Sequence, residues 1–461
     1  MSSRALSLCV MLAAGVVFGQ QILPPAPGAT VVDISPRRGR FSEPSIAIDP
    51  NNPNRVVAVY QGGAAVQGSA TAAYSTDSGK TFAIAQETKP VDWRVAGDVT
   101  TTFDNKGHAF LSYLAFDRLG TPSYWAHNAG RNGIFVRRSL DGGKTWEASA
   151  VAVKAFATGH EPKLAFEDEP RIFADSERNS RFGGNLYVGW VEWQLDKSVM
   201  LFSRSTDDGK TWTAPIQIST HPGLPRDDNG SLGGFVQAVA PDGAIYAIWN
   251  DGNFITLTES HDGGKSFSRP RQVIETGPPY FGNVPGVSRV EGFAQIGLDA
   301  RGQKVGNLYI SWSDYRNGDV DVFLASSSDY GRKWSAPVRV NDDPLHDGRD
   351  QFYQWMAVDR SSGAVYVLFY DRRDDPANRD MRMTLAQSTD GGRTFRNYAW
   401  TRESFDARGA FLGDYTWLAA YNNHVYGAWT EIAPSSATAA QQRRNPETVI
   451  RVGRADFSIA R

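Results

Sequence analysis

Residues Ser205–Trp212 read STDDGKTW, and this octapeptide decides the fold because it recurs. Five further copies stand at Ser75–Phe82 (STDSGKTF), Ser139–Trp146 (SLDGGKTW), Ser260–Phe267 (SHDGGKSF), Ser327–Trp334 (SSDYGRKW) and Ser388–Phe395 (STDGGRTF). The shared pattern is Ser-x-Asp-x-Gly-x-x-aromatic, with starts about 63 residues apart, a period typical of stacked or circular repeat folds. The Asp carboxylate suits backbone N–H groups of its own turn, the Gly supplies a positive φ, and the closing ring packs under the turn. Each copy sits between alternating apolar stretches, such as VMLFSR before and APIQIS after the Ser205 copy, so it reads as a hairpin turn between two strands.

Working outward, two more strands precede each octapeptide. The first ends in Asp or a turn (SIAID, RIFAD, WMAVD), the second in an aromatic and polar residues (LYVGWVE, LYISWSD, VYVLFYD). Four strands per repeat make one propeller blade. There are seven such strand pairs and six octapeptides; the last pair, within FLGDYTWLAAYNNHVYGAWTEI, is followed by a single strand, VIRVGRADF. The strand lacking there is available in ATVVDIS (Ala29–Ser35). The expectation is an all-β, seven-bladed β-propeller over residues 31–461, its last blade closed by the N-terminal strand, with six blades plus an appendage as the alternative.

The N-terminus carries Arg4, an apolar run from Ala5 to Phe18, and small residues Val17 and Gly19. This is the layout of a secretory signal peptide over residues 1–20, and the run is too short to span a bilayer. ILPPAPG then reads as a Pro-rich linker over 21–30. The single cysteine, Cys9, falls in the apolar run, so the mature chain is expected to rely on its core and not on disulfides. The formal charge of −2 gives no basic footprint for nucleic acid. The expected product is a secreted or periplasmic monomer that binds neither nucleic acid nor, once the signal is removed, membrane.

The six octapeptides resemble the Asp boxes, or bacterial neuraminidase repeats, of the sialidase superfamily. That resemblance covers nearly the whole mature chain and implies that the boxes join third and fourth strands on the face opposite the active site. It further implies an exported glycosidase of exo-α-sialidase type acting on acidic glycans. Sialidases carry an early Arg-Ile-Pro, three arginines gripping the sialate carboxylate, a Tyr–Glu nucleophilic pair and an Asp acid. The nearest stretch is EPRIF (Glu169–Phe173), where Phe173 stands in place of Pro and the position falls in the third blade. The same fold hosts non-catalytic propellers that bind glycans or proteins, which is the alternative function.

Residues at the starts of first strands and the ends of second strands reach the other rim, where propeller ligands bind. They include Glu43, Asp98, Glu192, Asp314, Asp414 and Glu431. The non-repetitive members of this charged ring are the chosen candidates. Tyr370, Glu291, Asp350 and Glu169 offer the acid, base or nucleophile of glycoside cleavage. Arg171, Arg289, Arg349 and Arg372 offer clamps for a sugar carboxylate, and Trp125 and Tyr280 offer rings for sugar C–H faces. A Tyr or His base beside an arginine that neutralises a uronate would instead make a polysaccharide lyase. No cofactor is expected. Asp374, Asp375, Asn378 and Asp380, or Asp314, Asn317, Asp319 and Asp321, offer oxygen ligands for calcium, although neither set follows a known loop template.

Overall fold

The computed structural model describes residues 22–63, 69–88, 93–121, 126–158, 165–177, 179–225, 230–277, 284–301, 306–434 and 446–459. The stretch expected as a signal peptide lies outside them. Seven antiparallel sheets radiate around an axis as the blades of a propeller. Blade 1 is typical: Arg40–Ile48, Val56–Gly63, Ser69–Ser75 and Ala83–Thr88 follow one another from the axis outward. Blades 2, 3 and 4 begin at the inner strands Val95–Phe103, Phe166–Ala174 and Leu232–Val239. Blades 5, 6 and 7 begin at Gln295–Leu298, Gln351–Val358 and Trp417–Tyr421.

Blade 7 takes its outer strand from the other end of the chain. Thr30–Asp33 pairs antiparallel with Thr448–Asp456, Val32 opposite Val452, and so covers the edge that six octapeptides leave over. Thr448 fastens blade 7 to blade 1: its Oγ1 accepts from the Phe41 N–H at 2.7 Å and donates to the Phe41 carbonyl at 2.6 Å. The Pro-rich stretch expected as a linker is docked along blade 6, where Ala399 donates to the Pro24 carbonyl and accepts from the Ala26 N–H.

Second strands are sandwiched between neighbouring strands and neighbouring blades, so they read as apolar runs; Leu186–Trp193 is buried at every position. Two of the Trp-x-Asp and Trp-x-Glu endings close on themselves: the indole N–H of Trp312 donates to Asp314 at 2.7 Å and that of Trp429 to Glu431 at 2.6 Å, satisfying a buried donor within the repeat.

The octapeptides form one repeated turn. In the first, Ser75 Oγ donates to Asp77 at 2.7 Å and accepts from the Gly79 N–H, while Asp77 accepts from the Thr81 N–H and hydroxyl. These donors, the Thr81 N–H foremost, pull the Asp77 carboxyl down to about 2. The register puts Ser75 beside Val56 and Val56 beside Ile48, whereas Arg40 pairs with Gly63. The turns therefore occupy the rim opposite the start of the inner strand.

Candidate functional site

At that start, the inner strand of five blades is broken by a β-bulge. The first bulged residue lies at positive φ each time: Glu43 (53°), Asp98 (48°), Glu169 (52°), Gly234 (68°) and Tyr353 (52°), in blades 1, 2, 3, 4 and 6. Non-glycine residues are strained there, and a bulge re-aims the side chain of its strand. Four left-handed non-glycine residues at equivalent positions mark the rim where the repeat departs from plain sheet geometry.

Three of the four are carboxylic acids, and they line one cavity of about 310 Å³ together with Asp168, Arg289 and Asp414. Glu43 is 1 % exposed, and its carboxyl lies within electrostatic reach of those of Asp98 and Asp414. Burial first, and the Asp98 and Asp414 charges next, hold the Glu43 carboxyl well above the usual range. Asp414 is also raised, by burial against the pull of Arg289. Asp98 Oδ2 accepts from the Glu169 N–H at 3.2 Å, and Glu169 in turn accepts from the Gly234 N–H at 2.7 Å. The carboxylates thus pass from blade to blade across blades 1, 2 and 3 of the seven. Gln61 spaces them, accepting from the Asp98 N–H at 2.9 Å and donating to Ser42 at 3.1 Å.

Two arginines serve this group. The Arg289 Nε donates to Asp414 at 2.9 Å and its Nη2 to the second oxygen of the same carboxylate, with Glu291 3.4 Å away. Tyr353 fixes the arginine's backbone by donating its hydroxyl to the Arg289 carbonyl at 2.5 Å. Arg171 is 1 % exposed, its guanidinium 3.9 Å from the Tyr415 ring centre and facing Trp417 and Trp355. Its Nε and Nη1 are buried without hydrogen-bond partners, so aromatic faces and the nearby charges of Glu169 and Asp98 balance the cation.

Glu169, Arg171, Arg289 and Glu291 are therefore brought together. The remaining described candidates sit apart, in blade 6, and are tied up by the fold. Tyr370 is buried and donates to the Thr430 carbonyl at 2.6 Å. Arg372 is buried, giving its N–H groups to the Asn378 and Pro285 carbonyls. Asp350 accepts from the Val320 N–H and the Asn378 amide, and Arg349 donates to the Arg373 carbonyl. Trp125 and Tyr280 lie outside the described residues. The sets named for calcium do not converge: Asp314 is taken by Arg316, Asp321 by Arg339 and Asn341, Asp374 by Arg382, and Asp375 by its own turn. Gln61, Asp168 and the apolar wall of Leu114, Phe116, Leu119, Phe166 and Phe411 were not foreseen as lining. One signal in the chain does point to the bulges: Glu43 and Glu169 are each followed by proline, a residue tolerated inside sheets chiefly at edges and bulges.

A seven-bladed sheet ring with repeated Ser/Asp/Gly turns on one rim and an acidic mouth on the other defines a class of propeller. Residues 42–282 match the BNR repeat-like domain, and the chain belongs to that family. No curated protein matches the sequence. Among solved structures, an ulvan lyase of a new polysaccharide lyase family, bound to -[GlcA(1-4)Rha3S]-, is similar with a TM-score of 0.51 at 11% identity, covering 90% of this chain and 93% of its own. A Hadza microbial sialidase gives 0.46 at 16% identity, over 87% and 76% of the two chains. An α-L-arabinofuranosidase from Fusarium graminearum gives 0.49 at 13% identity, over 80% and 98%. At these identities the likeness is one of fold.

Proposed function

We propose that this protein is an exported glycoside hydrolase whose reaction takes place at the mouth between blades 1, 2 and 3. The observation that carries the proposal is Glu43: a buried carboxyl, under the charges of Asp98 and Asp414, lining a cavity that it shares with further carboxylates and with Phe and Leu side chains. A carboxyl that burial and neighbouring carboxylates make hold its proton above the usual range is what a general acid requires. Glu43 gives its proton to the glycosidic oxygen as the C–O bond breaks, and positive charge develops at the sugar carbon. Glu169, one blade beyond Asp98, is the partner carboxylate that stabilises this charge and either attacks the carbon or takes a proton from the attacking water. Asp98 holds Glu43 and the Glu169 backbone together as a positioning residue.

Export rests on residues 1–20 alone, and cell fractionation tests it. Exo-sialidase specificity, suggested by the Asp-box resemblance, calls for arginines open to a sugar carboxylate. Arg289 is engaged by Asp414, and Arg171 lies under Tyr415, so the hydrolase is proposed without that specificity. Incubation with a broad panel of oligosaccharides and aryl glycosides, following reducing sugar or aglycone, is the direct test. Turnover that is lost in Glu43→Gln upholds the proposal. Glycan binding without turnover would make the protein a binding propeller.

A further inference from the structure

From the one octapeptide that departs from its own pattern we infer a second carbohydrate site, for a glycan chain, on blade 5 at the rim opposite the mouth. It goes beyond the hydrolase reading and does not rest on it. In the other five copies the seventh residue is Thr or Ser: Thr81, Thr145, Thr211, Ser266 and Thr394. Its hydroxyl donates to Oδ2 of the octapeptide Asp at 2.6–2.7 Å each time. In SSDYGRKW that residue is Lys333. Asp329 keeps the bonds of its Oδ1, from the Ser327 hydroxyl at 2.9 Å and the Lys333 N–H at 2.8 Å, but its Oδ2 accepts from no described residue. The fourth residue departs as well. Tyr330 stands at a φ of 62° and is 41 % exposed, where the other copies place Gly, Ser or Asp. The turn itself gains nothing from either change, and departures of this kind fall at functional sites.

The altered residues border a groove. Asp329, Lys333 and Trp334 line a hollow of about 630 Å³ together with Ser328 and, from the octapeptide of blade 6, Arg393. The Trp334 ring also borders a hollow of about 400 Å³ shared with Glu275, in the outer strand of blade 4, and Arg332. Its indole N–H donates to the Gly331 carbonyl at 3.1 Å, so the ring is fixed before a ligand arrives. A fixed, half-buried indole between two polar hollows suits the C–H face of a pyranose. Beside it, sugar hydroxyls find an acceptor in Asp329 Oδ2 and a donor in the exposed Lys333 ammonium. Two hollows meeting at one ring accommodate consecutive sugars of a chain. A polymer held on this rim leaves the mouth open.

The test runs the full-length protein through native gels containing hydroxyethyl cellulose, xylan, arabinan or laminarin, beside a polymer-free gel, and measures retardation. We expect retardation by at least one of these polymers. Lys333→Thr writes the sequence of the other copies into blade 5 and returns an internal donor to Asp329 Oδ2. Its melting temperature should stay level or rise, while affinity for the retarding polymer falls about fivefold or more. Trp334→Phe installs the ring that closes three of the six copies and so keeps the fold, and its smaller face should weaken the same binding by about twofold or more. Weakened retardation in both folded variants upholds the site. No retardation in any gel overturns it, and so does retardation that either variant keeps in full, which would put the polymer elsewhere on the molecule.

Discussion

Glu43 and Gly413 meet more closely than any side chain at position 413 would allow. A Cβ there would stand 2.7 Å from the Glu43 backbone nitrogen, and Gly413 has a φ of 97°. Gly413→Ala is therefore expected to cost about 2 kcal/mol or more in urea unfolding and to lower activity by displacing Glu43. Glu43→Gln keeps the shape and removes the proton; kcat should fall by about 10²–10⁴-fold with the melting temperature little changed. The pH–rate profile carries the same information. Activity requires the protonated form, so the basic limb should lie well above the usual carboxyl range, where burial and the Asp98 and Asp414 charges put Glu43. A basic limb near the ordinary glutamate value would separate Glu43 from the chemistry.

At the scale of the elements, blades 2 and 3 are joined through a buried cluster. Lys154, from the outer strand Val151–Phe156 of blade 2, reaches both Glu167, 3.0 Å away, and Glu192 in blade 3. Burial and the Glu192 charge push the Glu167 carboxyl up to about 8. Its unfolded counterpart titrates near the ordinary value of 4.5, so the folded state holds the extra proton between those limits. Stability contributed by this group is complete below 4.5 and is lost as pH rises toward about 8, at roughly 1.4 kcal/mol per pH unit. Urea melts of Glu167→Gln should lack that slope; an identical slope in the variant would show that Glu167 is not its source. The closing strand is a second element to test. Removing residues 22–35 uncovers the edge of Thr448–Asp456, and the loss of its four paired positions should cost about 2–6 kcal/mol and promote association.

For the whole molecule, the ring was written in the chain because each octapeptide satisfies its own turn. Ser75, Asp77, Gly79 and Thr81 bond to one another, so a local pattern announces a local structure. The missing seventh copy foretold the closing strand for the same reason of count. The site was legible only by rim. Sequence placed Glu169, Arg171 and Arg289 at the mouth together with Tyr370 and Arg372, because strand ends alone give no view of partners. The structure separates them by who answers each polar group: the Thr430 backbone takes Tyr370, the Asn378 and Pro285 carbonyls take Arg372, and Glu43 is left facing Asp98 and Asp414. Those pairings come from blades far apart in the chain and leave no mark on any short stretch, apart from the prolines that follow Glu43 and Glu169. The most direct test of the central claim is sugar release from a broad glycan panel by the wild type and by Glu43→Gln at equal folded concentration. Release by the wild type that drops at least a hundredfold in the variant is the predicted result. Undiminished release by Glu43→Gln would contradict it.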